Sequence, residues 1–162
     1  MKKTDKIVRY ILPEIEGKEV LEAACGTAEF SLSVAAYAKK VTCIDIDESR
    51  LDRLVREQEN ICFRVMDAAK MDFGDAVFDT VILYNALYHI KGQYDEILAE
   101  CRRVLKPEGH ILLISTWKMD LALMREKFGG TLGRMDGVHF VAKESADKES
   151  TAEESGIIRL GK

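Results

Sequence analysis

No apolar run in this sequence approaches the roughly 20 residues needed to span a bilayer. The chain opens on Lys2, Lys3, Thr4 and Asp5, without the apolar core of a secretory signal. The expectation is a cytoplasmic protein with no membrane partner. There are only four cysteines, Cys25, Cys43, Cys62 and Cys101, and no Cys-x-x-Cys pair. That spacing argues against a disulfide framework and against a zinc site, and no metal is expected. Three of the four fall in expected core elements and read as reduced, buried, small apolar residues. Positive charge is not in excess: 24 Lys and Arg face 28 Asp and Glu, for a net charge of -4 and a pI near 5.5. Nucleic-acid binding rests on basic phosphate contacts, so no nucleic-acid partner is expected. Repeats and low-complexity tracts are absent. What remains is 162 residues, 47% apolar and 32% charged, which fits a single domain over 1–162 with a sizeable core.

The most informative stretch is Val20-Leu-Glu-Ala-Ala-Cys-Gly-Thr-Ala-Glu-Phe30. A short apolar run ends in Glu22, a cluster of tiny residues follows, and a helical pattern then opens with Phe30, Val34 and Ala38. This is a strand, a tight turn and a helix. In open α/β sheets ligands bind beyond the carboxyl ends of strands, and small residues let the backbone approach them. The next strand-like run, Val41 to Ile46, carries Asp45, 19 positions after Gly26. That offset suits an acid gripping ribose hydroxyls, so the pair suggests an adenosine-containing cofactor.

Charge and spacing narrow the cofactor. The dinucleotide pattern G-x-G-x-x-G would run here as Ala24, Gly26 and Glu29, and a glutamate fits the third position poorly. Glu22 and Glu29 would set negative charge beside a pyrophosphate. A phosphate-free cofactor with a cationic part suits these carboxylates, and S-adenosyl-L-methionine has both properties. The segment Glu22-Ala-Ala-Cys-Gly-Thr-Ala28 resembles the first motif of class I S-adenosylmethionine-dependent methyltransferases, an acid followed by three alternating glycines. Of the three, this chain keeps only Gly26. Alanine at 24 and 28 retains small volume, but its β-carbon disfavours positive φ.

Further along, Phe63-Arg-Val-Met-Asp-Ala-Ala69 resembles the same family. There the acid, here Asp67, accepts from the adenine amino group, and the next amide, here Ala68, reads a ring nitrogen. An ionised carboxylate accepts only, which suits an exocyclic amine. Taken alone, Asp67 reads as a turn cap. Tyr84-Asn-Ala-Leu-Tyr-His89 ends the strand next to strand one, beside the sulfonium if the resemblance holds. Base-modifying relatives carry Asn-Pro-Pro-Tyr there; this chain has Asn85-Ala-Leu-Tyr88. His89 is a candidate general base and equally a packing histidine. The resemblance also makes Tyr10 a contact candidate, since a helix at this place closes over the cofactor. The implied cofactor set is Tyr10, Glu22, Ala24, Cys25, Gly26, Ala28, Asp45, Ile46, Asp67, Ala68 and Asn85, with S-adenosyl-L-homocysteine as product. The expected fold is α/β: a Rossmann-like open, doubly wound, mostly parallel sheet of six or seven strands, helices on both faces, and a short C-terminal end.

Expected elements are a helix over 4–12 ended by Pro13, strands at 19–23, 40–46, 61–66, 80–84 and 110–115, and helices at 28–38, from a cap in Asp47–Ser49 to Glu57, at 93–105 and at 119–128. Lys106-Pro-Glu-Gly109 reads as a break between helix and strand. Gly129, Gly130 and Gly133 read as a flexible link. The resemblance is poor after about 116. A last strand is expected at 156–160, with 138–142 as its neighbour or the sheet one strand short. A bare edge there invites a second copy, a homodimer through the C-terminal sheet edge. Residues 143–155 read as a polar helix. Trp117, Met119 and Phe128 read first as core and otherwise as the lining of an apolar acceptor pocket. The leading reading is methyl transfer to a small-molecule acceptor. The alternatives are a nicotinamide-dependent oxidoreductase, opposed by Glu29, and a non-catalytic binding module, motivated by the two alanines.

Overall fold

Alternation along the strands decides the architecture. In β1 (Glu19–Ala23) and β4 (Phe78–Tyr84), Val20 and Ile82 face one side of the sheet while Leu21, Val81 and Leu83 face the other, and all five are buried. Strands buried on both faces belong in the middle of a helix-covered parallel sheet. The computed structural model describes residues 2–129, 133–134, 140–141, 152–153 and 156–162. β1 pairs in parallel with β2 (Lys40–Asp45) and β4, β2 with β3 (Ile61–Val65), and β4 with β5 (Leu105–Ser115). Two further strands, β6 (Gly133–Arg134) and β9 (Gly156–Gly161), complete a seven-stranded sheet in the order β3-β2-β1-β4-β5-β9-β6, with β9 antiparallel to both its neighbours. This is the expected open, mostly parallel, Rossmann-like sheet.

Helices cover both faces. α1 (Lys3–Val8), the 3-10 turn after it, α2 (Leu12–Ile15) and α3 (Glu29–Ala35) bury Ile7, Val8, Ile11, Ile15, Phe30 and Val34 against Val20, Val41, Ile82 and Leu112. α5 (Leu87–Ile90), α6 (Tyr94–Val104) and α7 (Lys118–Phe128) bury Leu87, Ile90, Ile97, Leu98, Cys101, Leu121 and Met124 on the opposite face. α4 (Arg53–Glu57) adds Val55 beside Cys25, Ala28 and Cys43. All four cysteines are free; Cys43 and Cys101 are buried as expected, whereas Cys62 on the edge strand β3 is exposed against expectation and Cys25 in the turn after β1 is buried. Among the described residues no helix is long and apolar enough to cross a membrane.

Several boundaries depart from the sequence reading. Pro13 does not end a helix: a 3-10 turn at Arg9–Ile11 intervenes, and Pro13 then sits in the first turn of α2, where its missing N–H costs nothing. α4 is capped by Asp52, whose carboxylate accepts from Leu54 N at 2.9 Å; Asp47 accepts from Ser49 N instead, in a turn of its own. Lys106 to Gly109 lies inside β5, not between elements, where the register with β4 shifts. Gly109 is needed there: an added Cβ would fall 2.6 Å from the Asp79 carbonyl oxygen and 2.5 Å from Leu105 Cδ1. The neighbour of β9 is Gly133–Arg134, read above as a link. Phe140–Val141 (β7) pairs instead with Ala152–Glu153 (β8) in a separate two-stranded ladder, so strand replaces helix at 152–153. Expectations for 130, 138–139, 142–151 and 154–155 lie outside the described residues.

Candidate functional site

β1 runs into a turn whose backbone is left-handed at every second residue. Ala24, Gly26 and Ala28 have φ of 53°, 57° and 61°. For alanine this conformation is strained, because Cβ crowds the following carbonyl. The turn is held from both ends. Ala28 N donates to Cys25 O at 2.8 Å, and Cys25 N donates to Ile44 O at 3.0 Å. Across the turn, Gly26 N donates to Asp45 Oδ2 at 2.8 Å, while Asp47 N donates to Asp45 Oδ1 at 2.9 Å. The acid at the end of β2 thus fixes the main chain on both sides of the opening.

That opening is a cleft of about 350 Å³ at the carboxyl ends of β1, β2 and β3. Ala24, Asp45, Ile46, Asp67 and Ala68 line it, as the sequence motifs suggested, and His89 joins them from α5. Ile46 is 74% exposed, an apolar side chain standing free beside two carboxylates. Asp67 Oδ1 accepts from Ala69 N at 2.8 Å, the turn-cap geometry, and Asp67 faces solvent. Gly26 lies at the rim, where an added Cβ would stand 3.6 Å from Arg50 Nη2. Asp47, Arg50, Met66 and Gln93 also line the cleft. None of them was named as a candidate, although Met66 lies within the Phe63–Ala69 motif; Arg50 arrives through the turn after β2 and Gln93 through the turn before α6.

Other candidates lie elsewhere. Glu22 is buried and turned away from the cleft: its Oε1 accepts from Ser31 N at 3.1 Å and Ser31 Oγ at 2.7 Å. Burial pushes its carboxyl up to about 8, against the pull of the Ser31 bonds. It caps α3, whose own N-cap, Ala28, offers no side-chain oxygen. Cys25 packs with Ala28, Cys43 and Val55, and contact with Cys43 together with burial pushes its thiol up, so it packs as a neutral group. Tyr10 does not line the cleft; its carbonyl accepts from Arg159 Nη2 at 2.8 Å on β9. Asn85 has φ of 50° and its Oδ1 accepts from Thr116 N at 2.7 Å, which ties the end of β4 to the end of β5.

His89, which lines the cleft, meets Trp117, which does not, edge to face with ring centroids 5.4 Å apart. Trp117 and Met119 are 44% and 52% exposed, so they are not core as first expected; Phe128 does pack against the core. Among the described residues no cluster of His, Cys, Asp and Glu could hold a metal ion. The lining therefore holds three acceptor carboxylates (Asp45, Asp47 and Asp67), one guanidinium, the Gln93 amide, an exposed aliphatic side chain and the His89 ring. Nothing in it forms a phosphate cradle, since α3 opens with Glu29.

Comparison with known proteins bears on this arrangement. The family model described as "Methyltransferase domain" matches residues 21–113. The "Probable S-adenosylmethionine-dependent methyltransferase" of Mycolicibacterium smegmatis is 31% identical over 100 residues, 62% of this chain and 38% of that protein. The demethylmenaquinone methyltransferase of Staphylococcus epidermidis is 32% identical over 117 residues, 68% of this chain and 48% of that one. The chain thus spans less than half the length of these relatives. The crystal structure of the PH0226 protein from Pyrococcus horikoshii superposes with a TM-score of 0.68 at 20% identity, over 99% of this chain and 90% of that chain. At that identity the likeness concerns the fold.

Proposed function

The chain belongs to the methyltransferase domain family, and from that premise we propose that it binds S-adenosyl-L-methionine in the cleft at the ends of β1 to β3 and transfers its methyl group to a small-molecule acceptor. The observation that carries this reading is convergence: Ala24, Asp45 and Asp67, on three separate strand ends, line one cleft. Its volume falls in the usual range for small-molecule sites, roughly 300–1,000 Å³.

The residues suit such a cofactor. Asp45 keeps free lone pairs beyond its two backbone bonds and serves as acceptor for ribose hydroxyls. Asp67 and the Ala68 amide suit an adenine edge, and Ile46 its face. Bound there, the cofactor supplies an electrophilic methyl on a sulfonium. The chain's own part is alignment and the exclusion of water, which can account for much of the barrier reduction. The acceptor enters at the His89–Trp117 end, where exposed Trp117 and Met119 favour an apolar or aromatic molecule. The name of the S. epidermidis relative, a demethylmenaquinone methyltransferase, is in keeping with such an acceptor. His89 takes the proton that an acceptor hydroxyl, amine or acidic carbon releases.

The test is calorimetric titration with S-adenosylmethionine, S-adenosylhomocysteine and NADH. Binding of both sulfur ligands, lost in Asp45→Ala, is the expected result. A saturating ligand at 100 times its Kd would also stabilise the fold by about 2.7 kcal/mol. Binding of NADH alone would overturn the assignment of S-adenosylmethionine to this cleft.

A further inference from the structure

α5 begins without a cap of its own. Its N-cap is Ala86, which offers no side-chain acceptor. The acceptor comes from α7 instead. Asp120 is fully buried, and its Oδ1 accepts from Tyr88 N, in the first turn of α5, at 2.9 Å. The same carboxylate has a second arm. Ser115 Oγ, also fully buried, lies 3.1 Å from Asp120 Oδ2, and it accepts from Trp117 N at 3.2 Å. Ser115 Oγ lies 3.1 Å from Asn85 Oδ1 as well, so its one proton is shared between two acceptors.

These two arms end on backbone amides, one beside His89 and one of Trp117. Tyr88 N is one residue from His89, and Trp117 N belongs to its partner in the edge-to-face pair. We infer that Asp120 is a positioning residue, whose single carboxylate fixes His89 and Trp117 relative to each other at the acceptor end of the cleft. The term acceptor end rests on the methyltransferase reading; the geometry of the pair does not. A buried carboxylate is costly unless its oxygens are engaged, and here each oxygen is engaged by a different element. A cap alone would need only Oδ1. The second arm, reaching Trp117 through Ser115, adds the link between the two rings.

Trp117 is the sole tryptophan, so its indole N–H gives a single cross-peak in a proton–nitrogen correlation spectrum. His89→Ala, which deletes the neighbouring ring, defines the position of that peak when the pair is broken. In Asp120→Ala the peak is expected to move most of the way there. In Asp120→Asn, which keeps an oxygen for Tyr88 N–H and a polar group for Ser115, it is expected to stay near the wild-type position. A peak unmoved in Asp120→Ala, or moved equally in both variants, overturns the inference. If Asp120→Ala does not fold, Ser115→Ala decides, because it cuts the Trp117 arm and leaves the Tyr88 arm in place, and Asn85 keeps its bond from Thr116 N: movement toward the His89→Ala position supports the inference, and no movement overturns it. S-adenosylhomocysteine binding by the wild type is measured separately. Its absence would remove the functional reading and leave the indole result standing on its own.

Discussion

Gly26 N donates to Asp45 Oδ2 at 2.8 Å, across 19 positions of sequence. The spacing that suggested a ribose acid is thus also the spacing that closes the turn: Asp45 supports the loop and faces the cleft with the same carboxylate. Asp45→Ala should therefore do two things together. Two backbone donors lose a charged acceptor, and the fold should weaken by about 2 kcal/mol in urea unfolding. S-adenosylhomocysteine affinity should fall at least about tenfold, roughly 1.4 kcal/mol. An affinity loss with no stability change would mean that the Gly26 bond contributes nothing to the turn.

Ala24 and Ala28 share the strained left-handed backbone but differ in surroundings. A non-glycine residue there costs about 1–2 kcal/mol, and glycine returns about 0.4–1 kcal/mol of that to the unfolded chain. At Ala24, partly exposed on the cleft, Ala24→Gly should come out neutral to slightly stabilising and should strengthen S-adenosylhomocysteine binding by letting the ligand nearer. Ala28 is fully buried beside Cys25, Cys43 and Val55, so Ala28→Gly also loses a methyl contact of about 0.8 kcal/mol. Ala24→Gly should unfold at the higher temperature of the two in a calorimetric scan.

Strands β1 to β4, residues 110–115 of β5 and β9 were legible because each is a mostly apolar run, and the turn because its residues are small. Asp45 was singled out by its place and spacing at the end of β2, whereas Ile46, Asp67 and Ala68 entered only through the family resemblance. Glu22 was misleading: it stands where a cofactor-facing acid would stand, yet alternation along β1 turns it toward α3 and Ser31. Two helix starts, Ala28 and Ala86, carry no capping signal in the sequence. Their caps, Glu22 and Asp120, come from other elements, and such long-range partners leave no local pattern. Lys106-Pro-Glu-Gly109 reads as a breaker on propensity; it is instead the irregular step within β5, held by the pairs on either side of it, Leu105 with Phe78 and His110 with Thr80. Asp52 won the capping of α4 over Asp47 because Asp47 is already engaged with Ser49.

Buried Glu22 makes stability depend on pH in a defined direction. Its carboxyl is raised from 4.5 to about 8 in the folded chain. Below the unfolded value both states hold the proton and its full contribution is present. Between about 4.5 and about 8 the unfolded chain releases the proton while the folded chain keeps it, so stability falls as pH rises. The slope should approach about 1 kcal/mol per pH unit in that window. Glu22→Gln keeps an oxygen for the Ser31 bonds and cannot ionise. Its unfolding free energy should be flatter across the window and should exceed the wild type at pH 8. A parallel pair of curves would show that Glu22 does not set the slope.

Ile46 separates ligand binding from folding. It is 74% exposed, and nothing packs over it, so Ile46→Ala should leave unfolding within about 0.5 kcal/mol of the wild type. Its position on the cleft between Asp45 and Asp47 leaves its side chain free to cover the flat face of a bound adenine. Losing that contact should cost about 1 kcal/mol, a roughly fivefold rise in the Kd for S-adenosylhomocysteine. Ile46→Leu keeps the apolar volume and should bind nearly as the wild type does. The Asp45 variant confounds loss of the turn with loss of the ligand contact, whereas Ile46→Ala touches only the second. Unchanged affinity in Ile46→Ala would mean that the adenosyl group does not lie against the end of β2, and the assignment of Asp67 to the adenine edge would fall with it.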